Sequence, residues 1–136
     1  MSASDNLKAL KAAYAEWDRT KGDNTGVWID LASDDLRVRS LGGEAVPLQF
    51  AEPRGGAQLA GYLAKLLETW QMQFVTPETF VADGDYVAMF GTASWTFRAT
   101  GKTATTPLAH LWRFRDGKAV DFQELFDSAA VMQVAG

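Results

Sequence analysis

The side chains here that combine acid–base chemistry with an apolar setting are His110, Glu124 and Tyr14. His110 is the only histidine in the 136-residue chain. It lies in the stretch from Leu108 to Phe126, which reads as two strands joined at Asp116-Gly117. On the first strand His110 alternates with Leu108, Trp112 and Phe114; on the second, Glu124 alternates with Val120, Phe122 and Phe126. An imidazole and a carboxylate on opposed strands can lie about 5 Å apart at Cβ, within hydrogen-bonding reach at their tips. Burial raises a carboxylate's pKa and a charged partner lowers it again, so such a pair can move a proton near neutral pH.

Whether the two share a face depends on the turn. A two-residue Asp-Gly loop pairs Arg115 with Lys118 and sets His110 opposite Gln123. A three-residue loop with a bulge at Gly117 pairs Arg115 with Ala119 and sets His110 opposite Glu124. The second register gathers the apolar residues on one face and places Arg113 opposite Asp121 on the other. The expectation is therefore the bulged loop, with His110 and Glu124 on the inner face.

The elements that must position them follow from periodicity. Ser4 or Asp5 can cap a first helix whose stripe is Leu7, Leu10, Tyr14 and Trp17, ended by Gly22. Tyr14 then points inward. Asp23 to Thr25 can cap a short second helix through about Ala32, and Ser33-Asp34-Asp35 reads as a turn before a strand from Leu36 to Ser40. Gly42-Gly43 breaks that strand, and Val46 to Arg54 reads as extended and irregular. A third helix over Ala57 to Trp70 carries Leu59, Leu63, Leu66 and Leu67, with Tyr62 at the stripe's edge. The period then changes to two, giving long strands over 72–82, 86–99, 102–115 and 118–126, with Pro77 and Pro107 at bulges or edges. A helical turn or two over 128–134 closes the chain. Helices followed by an antiparallel meander make an α+β domain spanning residues 1–136, with a pocket where helices meet a bent sheet. The sheet's other face needs cover, and a homodimer would supply it.

Composition narrows the partners. The net charge is −4, and no basic patch with interleaved aromatics is present, which argues against nucleic acid. Five Trp, three Tyr and eight Phe are enough to line a cavity as well as fill a core. No cysteine occurs, so disulfides, thiolate metal sites and a Cys nucleophile are excluded, and a reducing compartment fits. With one histidine no transition-metal site is expected. No run approaches the roughly 20 apolar residues of a membrane span, and the N-terminus lacks a signal peptide's apolar core, so the expected location is the cytoplasm.

The Tyr14 helix, the LASDDLRVRS segment, the Gly-initiated third helix and the closing HLWRFRDGKAVDFQELFD resemble the nuclear-transport-factor-2-like superfamily, and within it the SnoaL-like group of polyketide cyclases and ketosteroid-isomerase-like proteins. The resemblance implies a cone-shaped barrel of strongly curved antiparallel or mixed sheet. Three helices of the N-terminal half close its concave side, usually in a homodimer. It also implies an apolar pocket with a few polar groups at its floor and no cofactor. Tyr14 matches the oxyanion-donating tyrosine of ketosteroid isomerases, His110 the position of their acidic donor, and Ser40 the position of their aspartate base. That last departure removes the steroid-isomerase base. His110 and Glu124 resemble the histidine–acid pair of SnoaL-type cyclases, while Trp95, Trp112 and Phe122 match cavity-lining positions, with Trp17 next.

Two readings follow. One is a cofactor-independent isomerase, cyclase or dehydratase acting on a small hydrophobic carbonyl compound. In it His110 is the acid/base, Glu124 its orienter or the base itself, and Tyr14 the oxyanion donor. The other is a non-catalytic module that holds a small hydrophobic ligand or serves as a dimeric scaffold. On that reading His110 is a core histidine satisfied by Glu124, and Tyr14 is structural.

Overall fold

A computed structural model describes residues 3–40 and 55–135. Helix α1 (Ala3–Arg19) buries Leu10, Ala13, Tyr14 and Trp17, the inward stripe its 3.6-residue period requires. It begins before Ser4 and Asp5, so neither residue is its cap. Asp5 instead lies in the first turn, where the helix dipole favours an acid. Past the end of α1 the Gly22 N–H donates to the Trp17 carbonyl at 2.9 Å. The short α2 (Gly26–Leu31) has Thr25 at its N-cap, without a side-chain cap bond.

Strand β1 (Ala32–Ser40) follows α2 directly. Ser33-Asp34-Asp35, read from sequence as a turn, lie inside it, in the irregular stretch between the Ala32–Ala119 and Arg37–Asp121 pairs of β1 with β5. The expected Gly42-Gly43 break and the extended Val46 to Arg54 segment fall outside the described residues. Helix α3 (Gly55–Thr69) is followed by β2 (Trp70–Asp83), β3 (Tyr86–Phe97), β4 (Lys102–Arg115), β5 (Lys118–Phe126) and α4 (Ser128–Ala135). The strand order is β1-β5-β4-β3-β2, with β1 parallel to β5 and the other pairs antiparallel. Among the described residues the sheet is mixed and open, with edges at β1 and β2, and they do not close the expected barrel. Among the described residues α4 is a fourth helix, capped where Asp127 Oδ1 accepts from the Ala130 N–H at 3.2 Å.

Both strand prolines sit where their missing N–H does little harm. Pro77 is on edge strand β2, beside a bulge between Pro77 and Thr79. Pro107 lies one residue beyond the last β4–β5 pair, Leu108 with Phe126.

The β4–β5 hairpin reaches the expected alignment by a different route. Arg115 pairs with Lys118 across a two-residue loop. Asp116 and Gly117 both have positive φ, at 52° and 79°, the requirement of a type I′ turn. The bulge therefore does not lie at Gly117. It lies at Val120, where pairing passes from Phe114–Ala119 to Arg113–Asp121. One extra residue in β5 restores the register, and His110 stands opposite Glu124. Asp121 meets both Arg39 at 3.1 Å and Arg113 at 3.9 Å.

The main core lies between the concave face and helices α1, α2 and α3. The other face carries adjacent rows across β3, β4 and β5: Phe90, Ala109 and Leu125, and beside them Ala88, Leu111 and Gln123. Phe90 and Leu125 are each 51% exposed. Among the described residues no helix is long and apolar enough to cross a membrane.

Candidate functional site

One row of paired residues crosses the concave face: Ser40, Glu124, His110, Met89 and Phe80, from β1 to β2. Above it sits Tyr14. Its helix is fixed to β2 by Asp18, whose Oδ1 accepts from the Val75 N–H at 3.0 Å. This brings together side chains 96 positions apart, with Tyr14 Oη 2.5 Å from His110 Nδ1. His110 Nε2 lies 2.8 Å from Glu124 Oε2, and the Trp112 indole N–H donates to Tyr14 Oη at 2.9 Å.

The three polar groups differ in exposure. Tyr14 is 1% exposed as a residue, while the side chains of His110 and Glu124 are 8% and 24% exposed. Glu124 is thus the member of the chain most open to a ligand. Its other carboxylate oxygen has no hydrogen-bond partner among the described residues.

These residues line a cavity of about 180 Å³. All eight sequence-predicted site residues border it: Tyr14, Trp17, Ser40, Trp95, His110, Trp112, Phe122 and Glu124. Trp17, Trp95 and Trp112 stand in its lining. Its volume is close to the roughly 150 Å³ of a dry engineered cavity that accepts benzene.

Two further aromatic residues of the cavity, Trp28 and Tyr62, are not among the residues that the sequence marks for the site. Trp28 stacks on Trp112 at 5.3 Å and meets Tyr14 edge-on at 5.0 Å and Trp17 at 5.9 Å, so it ties three walls together. A six-residue helix carries too little periodicity to reveal that. Tyr62 was placed at the edge of a stripe, and it borders the cavity. Its spacing of three from Leu59 and four from Leu66 was the available signal.

Burial pushes the Tyr14 hydroxyl well above its ordinary pKa; the Trp112 hydrogen bond opposes this and the Glu124 charge adds to it. Burial and then Glu124 raise Tyr62 as well. For a raised group, the stabilisation is complete below the unfolded pKa of about 10 and is lost as pH climbs toward the folded value. Above about pH 10, Tyr14 and Tyr62 should therefore ionise only as the chain unfolds. Tyrosinate absorbance followed against circular dichroism checks this; ionisation of all three tyrosines in folded protein would contradict it.

Among the described residues no group of three or more His, Cys, Asp or Glu side chains could hold a metal ion. The functional groups available are a carboxylate, an imidazole and hydroxyls in an apolar, aromatic wall.

An open curved sheet, with helices over its concave side and polar groups at the cavity floor, defines the nuclear-transport-factor-2-like class of folds. The family model of the SnoaL-like domain matches residues 10–122, and the chain belongs to that family. An NTF2-like protein from Burkholderia xenovorans is similar over 100% of this chain and 99% of its own, with 26% identity and a TM-score of 0.82. TerC, crystallised together with polyporic acid, shares 27% identity over 96% of this chain and 97% of its own, with a TM-score of 0.79. A Jannaschia protein described as a putative SnoaL-like polyketide cyclase has the same fold at 17% identity and a TM-score of 0.76, over 96% of this chain and 91% of its own. A search of curated proteins finds no match.

Proposed function

We propose that the protein is a cofactor-independent acid–base enzyme of isomerase, cyclase or dehydratase type, acting on a small hydrophobic carbonyl compound of about one ring. The observation that carries this is the His110–Glu124 contact at 2.8 Å on the floor of an aromatic cavity. A carboxylate held there can take a proton from the carbon next to a carbonyl and return it at a second carbon. His110 donates to the oxygen of Glu124 that the substrate does not use. Ser40, paired with Glu124 across β1 and β5, offers a neutral hydroxyl to the developing oxyanion. Tyr14 does not suit the oxyanion role expected from sequence, because its oxygen already contacts Trp112 and His110. TerC's co-crystallisation with polyporic acid and the cyclase description of the Jannaschia relative agree with a small-molecule role. The test is turnover of neutral one-ring enones and 1,3-dicarbonyls by the wild-type protein, against the Glu124→Gln variant, which must lose it.

One observation favours the second reading, a binding module without catalysis. Both nitrogens of His110 and the Tyr14 hydroxyl are already engaged within the protein. On that reading Glu124→Gln alters ligand binding and no chemistry is found to lose.

We also propose that the apolar outer face of the sheet is covered by a second copy of the chain, in a protein that works in the cytoplasm. A two-fold contact would place Phe90 and Leu125 against the same patch of the partner. Light scattering is expected to report twice the monomer mass for wild type and the monomer for a Phe90→Glu/Leu125→Glu double variant. A wild-type monomer at micromolar concentration would refute the dimer.

A further inference from the structure

The hydrogen atoms along Trp112, Tyr14, His110 and Glu124 admit one consistent arrangement. An indole nitrogen can only donate, so Tyr14 Oη accepts from Trp112 at 2.9 Å. Tyr14 has a single proton, and its one other polar contact among the described residues is His110 Nδ1. If Nδ1 carried a proton, Tyr14 would have to accept twice, and its own proton would lie buried without an acceptor, at a cost of about 1–3 kcal/mol. Tyr14 therefore donates to Nδ1. The ring proton of a neutral imidazole must then sit on Nε2, 2.8 Å from Glu124 Oε2.

We propose that Trp112 and Tyr14 are positioning residues that lock His110 in the neutral Nε2–H tautomer, with its proton aimed at Glu124. The consequence for the site rests on the acid–base reading above. Oε2 of Glu124 is occupied by His110, which leaves Oε1 for a ligand in the cavity that Glu124 borders. When Oε1 takes a substrate proton, Oε2 still accepts from Nε2–H, so His110 keeps its own proton throughout. His110 then acts through Glu124 and does not itself exchange a proton with substrate. The device also explains why a tryptophan stands at 112: Phe would fill the wall equally well but could not donate to Tyr14.

The lone histidine makes the test direct, because its two ring nitrogens are resolved by nitrogen-15 NMR without substrate or turnover. The expected wild-type result at neutral pH is one pyrrole-type and one pyridine-type signal, with the proton on Nε2. Tyr14→Phe removes the donor to Nδ1 and should lower the Nε2–H to Nδ1–H ratio by about tenfold, the effect of one net hydrogen bond. Wild-type protein with Nδ1 protonated overturns the proposal even if the variant does not fold. A folded variant with an unchanged ratio overturns it as well. Because nothing here depends on turnover, failure of the tautomer lock and failure of the enzyme reading are seen separately.

Discussion

Glu124→Gln is expected to reduce turnover by about 10²–10⁴-fold, the usual contribution of a positioned general base. That corresponds to roughly 3–5 kcal/mol of barrier. Glutamine has the shape of glutamate, and its amide oxygen can still accept from His110 Nε2–H, so the 2.8 Å contact survives. What disappears is the basic oxygen facing the cavity. Stability should change by less than about 1 kcal/mol, because the side chain is 24% exposed and no buried donor is orphaned. Affinity for a neutral one-ring ligand should move by less than about threefold, since the aromatic walls supply most of its contact. The informative outcome is this separation, with catalysis gone and binding and melting temperature kept. A variant that retains turnover within tenfold of wild type removes Glu124 from the chemistry. Alanine at 124 is a poorer probe, because it also leaves His110 Nε2–H without its acceptor.

Gly91→Ala is expected to be the most damaging single-methyl change in the sheet. Gly91 lies on β3 opposite Pro77, where β2 bulges before Thr79. A Cβ added there would lie 2.2 Å from the Thr76 carbonyl oxygen and 3.0 Å from Pro77 Cα. Both atoms are backbone, so no rotamer change relieves the contact, and the two strands must part. Overpacking that the backbone must absorb, together with lost ladder hydrogen bonds, should cost about 3–5 kcal/mol, in the diagnostic tail of single-substitution effects. For a chain of this size the melting temperature would fall by roughly 10–20 °C. Urea denaturation of Gly91→Ala beside wild type measures it, and a loss below 1 kcal/mol would show that the bulge yields. The same close approach has a functional side. The bulge lies just before Phe80 of β2, which packs edge-on against Tyr14 at 5.8 Å.

Much of this architecture could be read locally. The stripe of Leu10, Tyr14 and Trp17 and the period-two runs after Trp70 are repeated signals, and burial rewards them wherever the chain goes. The pairing of His110 with Glu124 was legible because the wrong register would have mixed charged and apolar residues on both faces. The place of the bulge was not. Asp116-Gly117 already satisfies a two-residue turn, so the extra residue moved to Val120, where no sequence signal marks it. The acidic Ser33-Asp34-Asp35 run likewise looks like a turn, and its place inside β1 depends on the pairs that flank it, Ala32 with Ala119 and Arg37 with Asp121.

Taken alone, the sequence determined the fold class, the inward residues and the facing of His110 and Glu124, because these depend on period and on near neighbours in one hairpin. Only the tertiary structure decided what those groups do to one another. The Tyr14 hydroxyl reaches His110 Nδ1 and takes the Trp112 N–H because α1 packs against β2 and β3, and Tyr14 extends from it to the two side chains of β4. Trp28 became the centre of the aromatic wall because α2 packs beside α1, which sets its ring against both Tyr14 and Trp112. Hydrogen-bond direction depends on which groups meet across the cavity, and Tyr14 and His110 are 96 positions apart in the chain.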